Sequence, residues 1–456
     1  MEDLNGYGIV LGKYPKSTLA KLMEMVQTER PNKTYIYNDT GRDVFICGGA
    51  RSGKNVGIIV PTLLSWKGSV IIVDKLFENW KLTADYRKNE LNNDVFVFDP
   101  FFDGSNKINP FEFIKPGDPS EIETAKALAK VFVNYRLMNI LGKYLYSREV
   151  CFDYKCSFGE AEIQNLIAAV ILYLKYSSPE ASIKDLLDFF GCDEREKLLL
   201  NSDYQQDKFR KILTADSVPA YLKDIFSTYC CACDSKTNHV GHFFRMIYMC
   251  LEPYRNEAVI KNLSTTDIPY KDLISCENTA KKPISLYLNT SIEFYEYSIE
   301  WLRFFTNLFY TSLQGAEKYV DNKQKVLLIL DEITPYCENF CETLLETKNK
   351  NSRALLLITI HSLEQLRKLY FPNPPDIYKF INIFAYQLFL NTSRCTSGND
   401  PLAYEYIYKN TNLAGDNINV LLDAPLNNAN VRYAQVIEKL EYYKEPYWMK
   451  KLSKNY

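Results

Sequence analysis

Three features of the sequence predict an α/β fold with a mostly parallel sheet that is interrupted by an inserted all-α domain. The chain has 456 residues, of which 46% are hydrophobic and 24% are charged, so it can bury a large core and is not of a disordered or low-complexity class. Short β-rich runs in the outer parts of the chain are apolar almost without interruption, as in strands buried on both faces of a sheet. In the middle of the chain, apolar residues recur at helical spacing.

The outer segments alternate between predicted strands and predicted helices. The strands are expected in DVFICG, SVIIVD, DVFVFD, PISLYLN, KVLLILD and RALLLITI. A helical pattern, NVGIIVPTLLSWKG, comes after the first of these strands, and another, SLEQLRKLY, comes after the last. Strands that alternate with helices in this way favour a parallel sheet.

The middle segment is predicted to be helical and to divide the first domain in two. Its helical patterns are EIETAKALAKVFVN, EAEIQNLIAAVILYLKYS and SIKDLLDFFG, and they follow the segment NPFEFIKPGDPS. A further helix, in HFFRMIYMCLEPY, is expected where the chain returns to the first domain. We therefore expect residues 1-118 and 241-456 to form the two parts of one domain, and residues 119-240 to form the inserted all-α domain.

The first predicted strand runs into a glycine-rich segment with the P-loop spacing G-x-x-x-x-G-K. Glycines let successive N–H groups point into one concavity, the next helix adds its positive dipole, and the lysine reaches the terminal phosphates. The pattern predicts an ATP site in the first domain; a glycine-rich turn that ends in lysine by chance is the alternative. The expected binding residues are Gly48, Gly49, Ala50, Arg51, Ser52, Gly53, Lys54 and Asn55.

Asn55 departs from the usual P-loop, in which Ser or Thr follows the lysine and binds Mg²⁺ through its hydroxyl. An amide oxygen coordinates magnesium weakly or through water. We therefore expect Asn55 to reduce the affinity for Mg²⁺. Tight nucleotide binding would survive this change, whereas fast hydrolysis is in question.

The second half of the site is expected where the buried run VLLILDEI ends in two acidic residues. Asp331 would hold the magnesium shell, and Glu332 would orient or deprotonate the attacking water. Solvated acids at the end of a buried strand are the alternative. Because the P-loop and this strand are recognised independently, ATP and Mg²⁺ are the expected cofactors.

Charge, hydropathy and cysteine usage restrict the class of protein further. The 54 Lys+Arg and 56 Asp+Glu residues leave a net charge of -2, so contact with DNA would need a local basic patch. No apolar run reaches the roughly 18 residues of a membrane-spanning helix, and the start lacks the pattern of a signal peptide. Twelve cysteines without an extracellular spacing pattern favour reduced thiols, so the chain as given is expected to be cytosolic.

The segment CCACDSKTNHVGH is a weaker candidate for a zinc site. It contains C-x₂-C followed by H-x₂-H, and four such ligands can form a tetrahedral site. The spacings are tighter than in the usual zinc finger, and cysteines of a surface loop are the default interpretation. The four residues are Cys230, Cys233, His239 and His242.

Several further blocks accompany the P-loop in a fixed order. They are GIVLG, which begins at Gly8, then ARSGKNVGIIVPTLL, GSVIIVD with ENWKLTADYR, FDPFFDGSNKINPFEFI and LLILDE. With these blocks the chain resembles the type IV coupling proteins, the TraG-like ATPases of conjugation and type IV secretion. The resemblance covers most of the chain and implies a RecA-like P-loop NTPase domain, in which Lys54 binds the phosphates, Asp331 the magnesium and Glu332 the catalytic water.

The resemblance also implies partners and a location. Proteins of this family form a hexameric ring at the cytoplasmic face of the bacterial inner membrane. They couple ATP hydrolysis to delivery of a relaxase with its single-stranded DNA, or of protein effectors, into the secretion channel. Family members usually begin with transmembrane helices ahead of the GIVLG-like segment. This chain begins close to that segment, which implies either that the anchor has been removed or that the chain is a soluble relative.

Three positions depart from the family pattern. The block D-x-K-G-E has no glycine here and reads DKLFE at residues 74–78. Beyond the acidic pair, His361 in ITIHS stands at the position of the family's glutamine. A neutral imidazole there can donate one hydrogen bond to a γ-phosphate. The alternative is a histidine at a strand end whose hydrogen bonds are satisfied within the protein. In the family, an arginine contributes to the site of the neighbouring subunit, and Lys350 stands at its position here. Lysine keeps the positive charge but lacks the two-pronged guanidinium of arginine. Lys348 and Arg353 are close enough to substitute, and a solvated basic turn is an equal alternative.

Three functions remain open on the sequence. The first is an active coupling ATPase, and the second is a nucleotide-binding substrate receptor or adaptor with weak or no hydrolysis. The third is a DNA-translocating ATPase outside secretion, against which the ENWKLTADYR and FDP…NPF blocks argue. Asn55, Lys350 and His361 put turnover in question and leave the fold intact.

Overall fold

The structure is a computed structural model that falls into two compact units. It describes residues 8–13, 35–38, 40–133, 159–191, 202–234, 238–274, 282–314, 325–336, 340–347, 352–371, 374–392, 400, 402–403, 405–406, 418–423 and 433–436. The first unit is Met1–Val97, Pro269–Ile292 and Phe305–Tyr456, and the second is Phe98–Ile268 with Glu293–Phe304. This division describes compactness alone. The domain boundaries expected from the sequence, at residues 118 and 240, therefore stay predictions.

The described part of the chain alternates strands and helices in the order expected of an α/β fold. The strands are β1 (Ile9–Lys13), β2 (Tyr35–Asn38), β3 (Val44–Gly48), β4 (Val70–Lys75), β5 (Asp94–Phe98), β6 (Ile284–Thr290), β7 (Val326–Leu330), β8 (Ala354–Ile360), β9 (Tyr386–Thr392), β10 (Ile418–Asp423) and β11 (Tyr433–Val436). The helices are α1 (Val60–Ser65), α2 (Glu78–Asn89), α3 (Glu121–Phe132), α4 (Glu160–Ser177), α5 (Ile183–Phe189), α6 (Ser202–Thr214), α7 (Ala220–Asp234), α8 (Asn238–Leu251), α9 (Glu257–Ser264), α10 (Tyr270–Ile274), α11 (Tyr295–Ser312), α12 (Phe340–Thr347), α13 (Leu363–Tyr370) and α14 (Pro374–Ile381).

The first unit contains a large, mostly parallel sheet. Its strand order is β11-β10-β9-β3-β8-β7-β4-β6-β5. The pairs from β9 through β6 are parallel, whereas β10 pairs antiparallel with both β9 and β11. The prediction of an α/β fold with a mostly parallel sheet is confirmed, and all six predicted strand runs form strands of this sheet.

Continuous burial explains why these sequences form central strands. Every residue of β3, β6, β7 and β8 is buried, so neither face of these strands meets water. A strand in this position cannot alternate apolar with polar residues, because both faces need apolar contacts. The near-continuous apolar runs are therefore a direct consequence of a sheet covered on both sides.

The segment after the P-loop is helical but irregular. A π-helical turn, Asn55–Ile59, precedes α1. The carboxyl end of α1 is held by Arg87 of α2, whose guanidinium donates to the carbonyls of Leu63 at 2.6 Å, Trp66 at 2.8 Å and Gly68 at 3.0 Å. Arg87 is fully buried, so this cation serves as the cap of the helix that follows the P-loop.

The second unit is formed mainly by helices, as the periodicity of the middle segment predicts. The three helical patterns form α3, α4 and α5, and α8 covers most of the HFFRMIYMCLEPY segment. The carboxylate of Glu121 on α3 accepts hydrogen bonds from the hydroxyls of Tyr176 and Tyr221, which ties three helices together. In the described part of the chain, no helix has both the length and the apolar character needed to cross a membrane.

Candidate functional site

The P-loop begins where β3 ends, in the middle of the parallel sheet. After Gly48 the chain turns through Arg51 and Gly53, which have left-handed backbones with φ of 58° and 97°. The turn is closed by a hydrogen bond from Ser52 N–H to the Gly49 carbonyl at 3.2 Å. Lys54 begins the helical segment, so the loop runs directly into a helix N-terminus, the arrangement in which P-loops bind anions.

Lys54 is folded over the loop that precedes it. Its Nζ donates to the carbonyl oxygens of Gly48 at 2.5 Å and Gly49 at 3.0 Å. Lys54 is 7% exposed. Burial lowers the pKa of Lys54, and the nearby carboxylates of Glu332 and Asp331 oppose this effect. The ammonium is thus held at the mouth of the loop by carbonyls and carboxylates.

Gly48 is required by the tight packing inside the loop. A Cβ at this position would lie 2.6 Å from Ser52 Oγ and 3.0 Å from Leu390 Cβ. Ser52 Oγ and Asn55 Oδ1 are buried and have no hydrogen-bond partner among the residues that the structure describes. Two buried polar atoms without partners in one phosphate-type loop are suited to a polar ligand, because burial without a partner is costly.

The acidic pair follows β7 and is ordered by a hydroxyl of β8. The buried Thr359 donates from Oγ1 to Asp331 Oδ1 at 2.7 Å, and the same hydroxyl oxygen accepts from Glu332 N–H at 2.8 Å. Burial raises the pKa of Asp331, and the Thr359 hydrogen bond opposes that shift. One threonine therefore fixes the position of both acids.

Glu332 lies between two lysines. Its Oε2 is 3.0 Å from Lys75 Nζ and its Oε1 is 3.8 Å from Lys54 Nζ. Burial alone would raise the pKa of Glu332, but the charges of Lys75 and Lys54 outweigh burial and lower it. The P-loop and the acidic pair therefore meet at the carboxyl edge of the parallel sheet, where ligands of open α/β sheets bind.

Asn55 and Asp331 are the residues of this edge that fit a magnesium ion. Both offer side-chain oxygens, which Mg²⁺ prefers, and within the described part of the chain Asn55 Oδ1 has no hydrogen-bond partner. The Asn55 amide nitrogen donates to Glu78 Oε2 at 3.4 Å, which leaves the amide oxygen as the acceptor. The oxygen-rich set fits the metal expected from the sequence; the assignment stays a prediction.

The remaining predicted site residues lie in different places. His361 follows β8 directly, at the same sheet edge as the P-loop, and is exposed. Arg353 is 5% exposed and directly precedes β8. The seven residues of β8 therefore separate Arg353 from the sheet edge that carries the P-loop, a distance of roughly 20 Å. Arg353 therefore does not reach the site of its own chain. Lys348 and Lys350 lie outside the described residues.

The zinc candidates fall on two helices. Cys230 and Cys233 belong to α7, and His239 and His242 belong to α8. Cys230 is buried, and its Sγ lies 4.0 Å from the Gln206 carbonyl. The side chains of the other three lie outside the described residues, and the described residues contain no cluster of three or more metal-ligating side chains.

Two contributors were not among the residues predicted from the sequence. Lys75 ends β4 and pairs with Glu332, and Thr359 of β8 orders the acidic pair. For Lys75 a signal was present, since it is a charged residue at the end of a buried apolar run, although it holds the variable second position of D-x-K-G-E and Leu76 holds the lysine position. Thr359 carries no such signal in a strand of this composition.

Comparison with known proteins gives one family model and several relatives. The family model described as "Type IV secretory system Conjugative DNA transfer" matches residues 13–372. A conjugal transfer protein TraG of Escherichia coli is 26% identical over 290 residues, which are 62% of this chain and 41% of the relative. A second TraG of the same organism is 25% identical over 344 residues, or 72% of this chain and 50% of the relative. The chain thus spans about half the length of these relatives.

Two further likenesses differ in extent, one being short in sequence and the other covering nearly the whole fold. Protein VirD4 of Rhizobium radiobacter is 40% identical over 67 residues, 15% of this chain and 10% of VirD4. The plasmid coupling protein TrwB, solved with the non-hydrolysable ATP analogue ADPNP, has a TM-score of 0.53 at 11% identity and covers 96% of this chain and 95% of TrwB. At this identity the likeness establishes the fold. Because the family model spans most of the chain, this chain belongs to the family of type IV secretory system proteins of conjugative DNA transfer.

Proposed function

We propose that this chain binds ATP with Mg²⁺ at the carboxyl edge of its sheet and hydrolyses it, as the coupling ATPase of a type IV secretion system. The contact between Lys54 Nζ and Glu332 Oε1, at 3.8 Å, supports this proposal most directly. It brings a phosphate-binding lysine and a candidate base to one point. The structure of TrwB in complex with an ATP analogue supports the choice of nucleotide.

The residues of this edge divide the work. The N–H groups of the loop after Gly48 and the helix N-terminus would receive the phosphates. Lys54 would exchange the carbonyls of Gly48 and Gly49 for the phosphate oxygens. Mg²⁺, when bound, neutralises phosphate charge, and Asp331 and Asn55 are the residues that would hold it.

Glu332 is suited to accept the proton of the attacking water. A proton acceptor must be ionised, and Glu332 meets this condition despite its burial, because the charges of Lys75 and Lys54 lower its pKa. The hydrogen bond from its N–H to Thr359 fixes the backbone, while the side chain is 40% exposed and accessible to water. These features fit the role of a proton acceptor.

The substrates and partners belong to the same proposal. We propose that the chain delivers a relaxase with single-stranded DNA, or protein effectors, to secretion channel components. We also propose that it acts as a hexameric ring at the cytoplasmic face of the inner membrane, with Lys350, or in its place Lys348 or Arg353, completing a neighbour's site. The family assignment, which concerns conjugative DNA transfer, supports this view.

A steady-state ATPase assay with and without single-stranded DNA tests the proposal. Lys54→Ala and Glu332→Gln should each lower turnover by about 100-fold or more, because each removes a group that acts on the phosphate or on water. Matched controls are Lys81→Ala and Glu346→Gln, which change exposed residues of α2 and α12 and should keep wild-type turnover. Wild-type protein that binds ATP without turnover would favour the receptor function instead. Protein that binds neither ATP nor ADP in calorimetry would refute the proposal.

A further inference from the structure

The turn after β4 has an unusual backbone. Leu76 and Phe77, two consecutive residues with side chains, are left-handed, with φ of 58° and 61°. This conformation is unfavourable for residues that carry a Cβ, because the Cβ crowds the following carbonyl oxygen. Such backbones persist only where the surroundings enforce them, and they concentrate at ligand sites.

The surroundings of this turn enforce it from two sides. Phe77 N–H donates to the Oδ1 of Asn289, which is buried in the neighbouring strand β6, at 3.0 Å. The buried carboxylate of Asp74 accepts from Asn79 N–H at 2.9 Å and from Trp80 N–H at 2.8 Å, which fixes the start of α2. The turn is therefore a rigid connection between β4 and α2.

This rigid turn presents charged groups to both halves of the proposed nucleotide site. At its beginning, Lys75 Nζ lies 3.0 Å from Glu332 Oε2. At its end, Glu78 Oε2 lies 3.4 Å from the amide nitrogen of Asn55, the residue that follows the P-loop lysine. The turn thus lies along a third side of the site, beside the P-loop and the acidic pair.

The position of Lys75 relative to Lys54 is informative. The two ammonium groups contact different oxygens of one carboxylate, Lys75 at Oε2 and Lys54 at Oε1. A terminal phosphate that Lys54 binds would therefore lie close to Lys75 as well. A phosphate carries more charge than a carboxylate, and a lysine ammonium on its flexible four-carbon stem can exchange one anion for another.

We propose that Lys75 is a second phosphate-binding lysine, which leaves Glu332 and binds the terminal phosphate when a nucleoside triphosphate occupies the site. The exchange makes the carboxylate of Glu332 available to water only when a terminal phosphate is present. This inference rests on the proposed function. A diphosphate lacks the group that Lys75 would bind, so Lys75 would discriminate between triphosphate and diphosphate.

Calorimetric titration with a non-hydrolysable ATP analogue and with ADP, both with Mg²⁺, tests this role. Lys75→Met should weaken binding of the analogue about 10- to 100-fold, the value of one hydrogen bond to a charged group, and change ADP binding less than about twofold. Lys81→Met is the matched control on α2, where the lysine is exposed, and should leave both affinities unchanged. Equal losses for the two nucleotides, or no loss for either, would overturn the proposal.

A double-mutant cycle with Glu332→Gln tests the exchange itself. If Lys75 must leave the carboxylate of Glu332 to bind phosphate, the penalty of Lys75→Met for the analogue should be larger in the Glu332→Gln background, where no competing ion pair exists. The same penalty in both backgrounds would overturn the exchange. Failure of the proposed function is distinct, because wild-type protein would then bind neither nucleotide.

Discussion

Thr359 offers a sharp perturbation of the acidic pair, because one hydroxyl serves both acids. Its Oγ1 donates to Asp331 Oδ1 at 2.7 Å and accepts from Glu332 N–H at 2.8 Å, and the residue is fully buried. Thr359→Val keeps the shape and removes both hydrogen bonds. Asp331 then loses a donor, and the left-handed backbone of Glu332, with φ of 50°, loses one of its restraints.

The cost follows from these two bonds. The bond from a neutral N–H is worth about 1 kcal/mol and the bond to a carboxylate about 1.5–3 kcal/mol, so Thr359→Val should lower the free energy of unfolding by about 2–4 kcal/mol. At about 1–2 °C per kcal/mol for a chain of this size, the melting temperature should fall by roughly 2–8 °C. Turnover should fall by about 10- to 100-fold, because a displaced Glu332 no longer orients water.

The assay compares Thr359→Val with Thr359→Ser, which loses a methyl group and keeps the hydroxyl. Scanning calorimetry gives the melting temperatures, and ATPase measurements on folded protein below both transitions give the turnover. We expect the serine variant to retain most of the activity that the valine variant loses. If the two variants melt together and hydrolyse ATP at equal rates, the hydroxyl does not order the acidic pair and this reasoning is wrong.

Three further predictions concern the loop, its helix and pH. Gly48→Ala should weaken nucleotide binding in calorimetry and lower stability by about 1–3 kcal/mol, because the added Cβ meets Ser52 and Leu390 at 2.6 and 3.0 Å. Arg87→Met should lower the free energy of unfolding in urea by about 3–5 kcal/mol, because buried carbonyls lose their donor, and Arg87→Lys should recover part of the loss. Burial raises the pKa of Asp43 to about 6, so stability should fall by at most about 3 kcal/mol as pH rises from about 4 to about 6, and Asp43→Asn should abolish that slope in thermal melts.

The central strands could be predicted because strands buried on both faces have near-continuous apolar sequences. A run such as VLLILDEI has no polar residue until the strand reaches the sheet edge, so it also marks where Asp331 and Glu332 emerge. The P-loop carries its own signal, because a phosphate loop needs glycines at fixed spacing. Strand ends and loop glycines are local features, and local features can be read without knowing the fold.

Lys75 and Thr359 could not be assigned in the same way, because their partners depend on strand order. β7 lies between β8 and β4, so Thr359 and Lys75 approach the acidic pair from its two neighbouring strands. Lys75 is 257 residues from Glu332 along the chain and Thr359 is 27 residues from it, and periodicity does not determine which strands are neighbours. Arg353 shows the converse, since it is nearer to the acidic pair in sequence than Thr359 but precedes β8 and so lies at the opposite edge of the sheet.

Backbone strain in this protein is concentrated at the edge that carries the proposed site. Among the described residues, six residues other than glycine have positive φ. Of these six, Asn92 alone lies away from the carboxyl ends of the parallel strands. The other five are Arg51, Leu76, Phe77, Glu332 and Asn391. Each left-handed residue of this kind costs about 1–2 kcal/mol, so stability alone does not explain their presence at one edge. The proposed nucleotide site would account for four of them, because Arg51 lies in the P-loop, Leu76 and Phe77 join Lys75 to α2, and Glu332 belongs to the acidic pair.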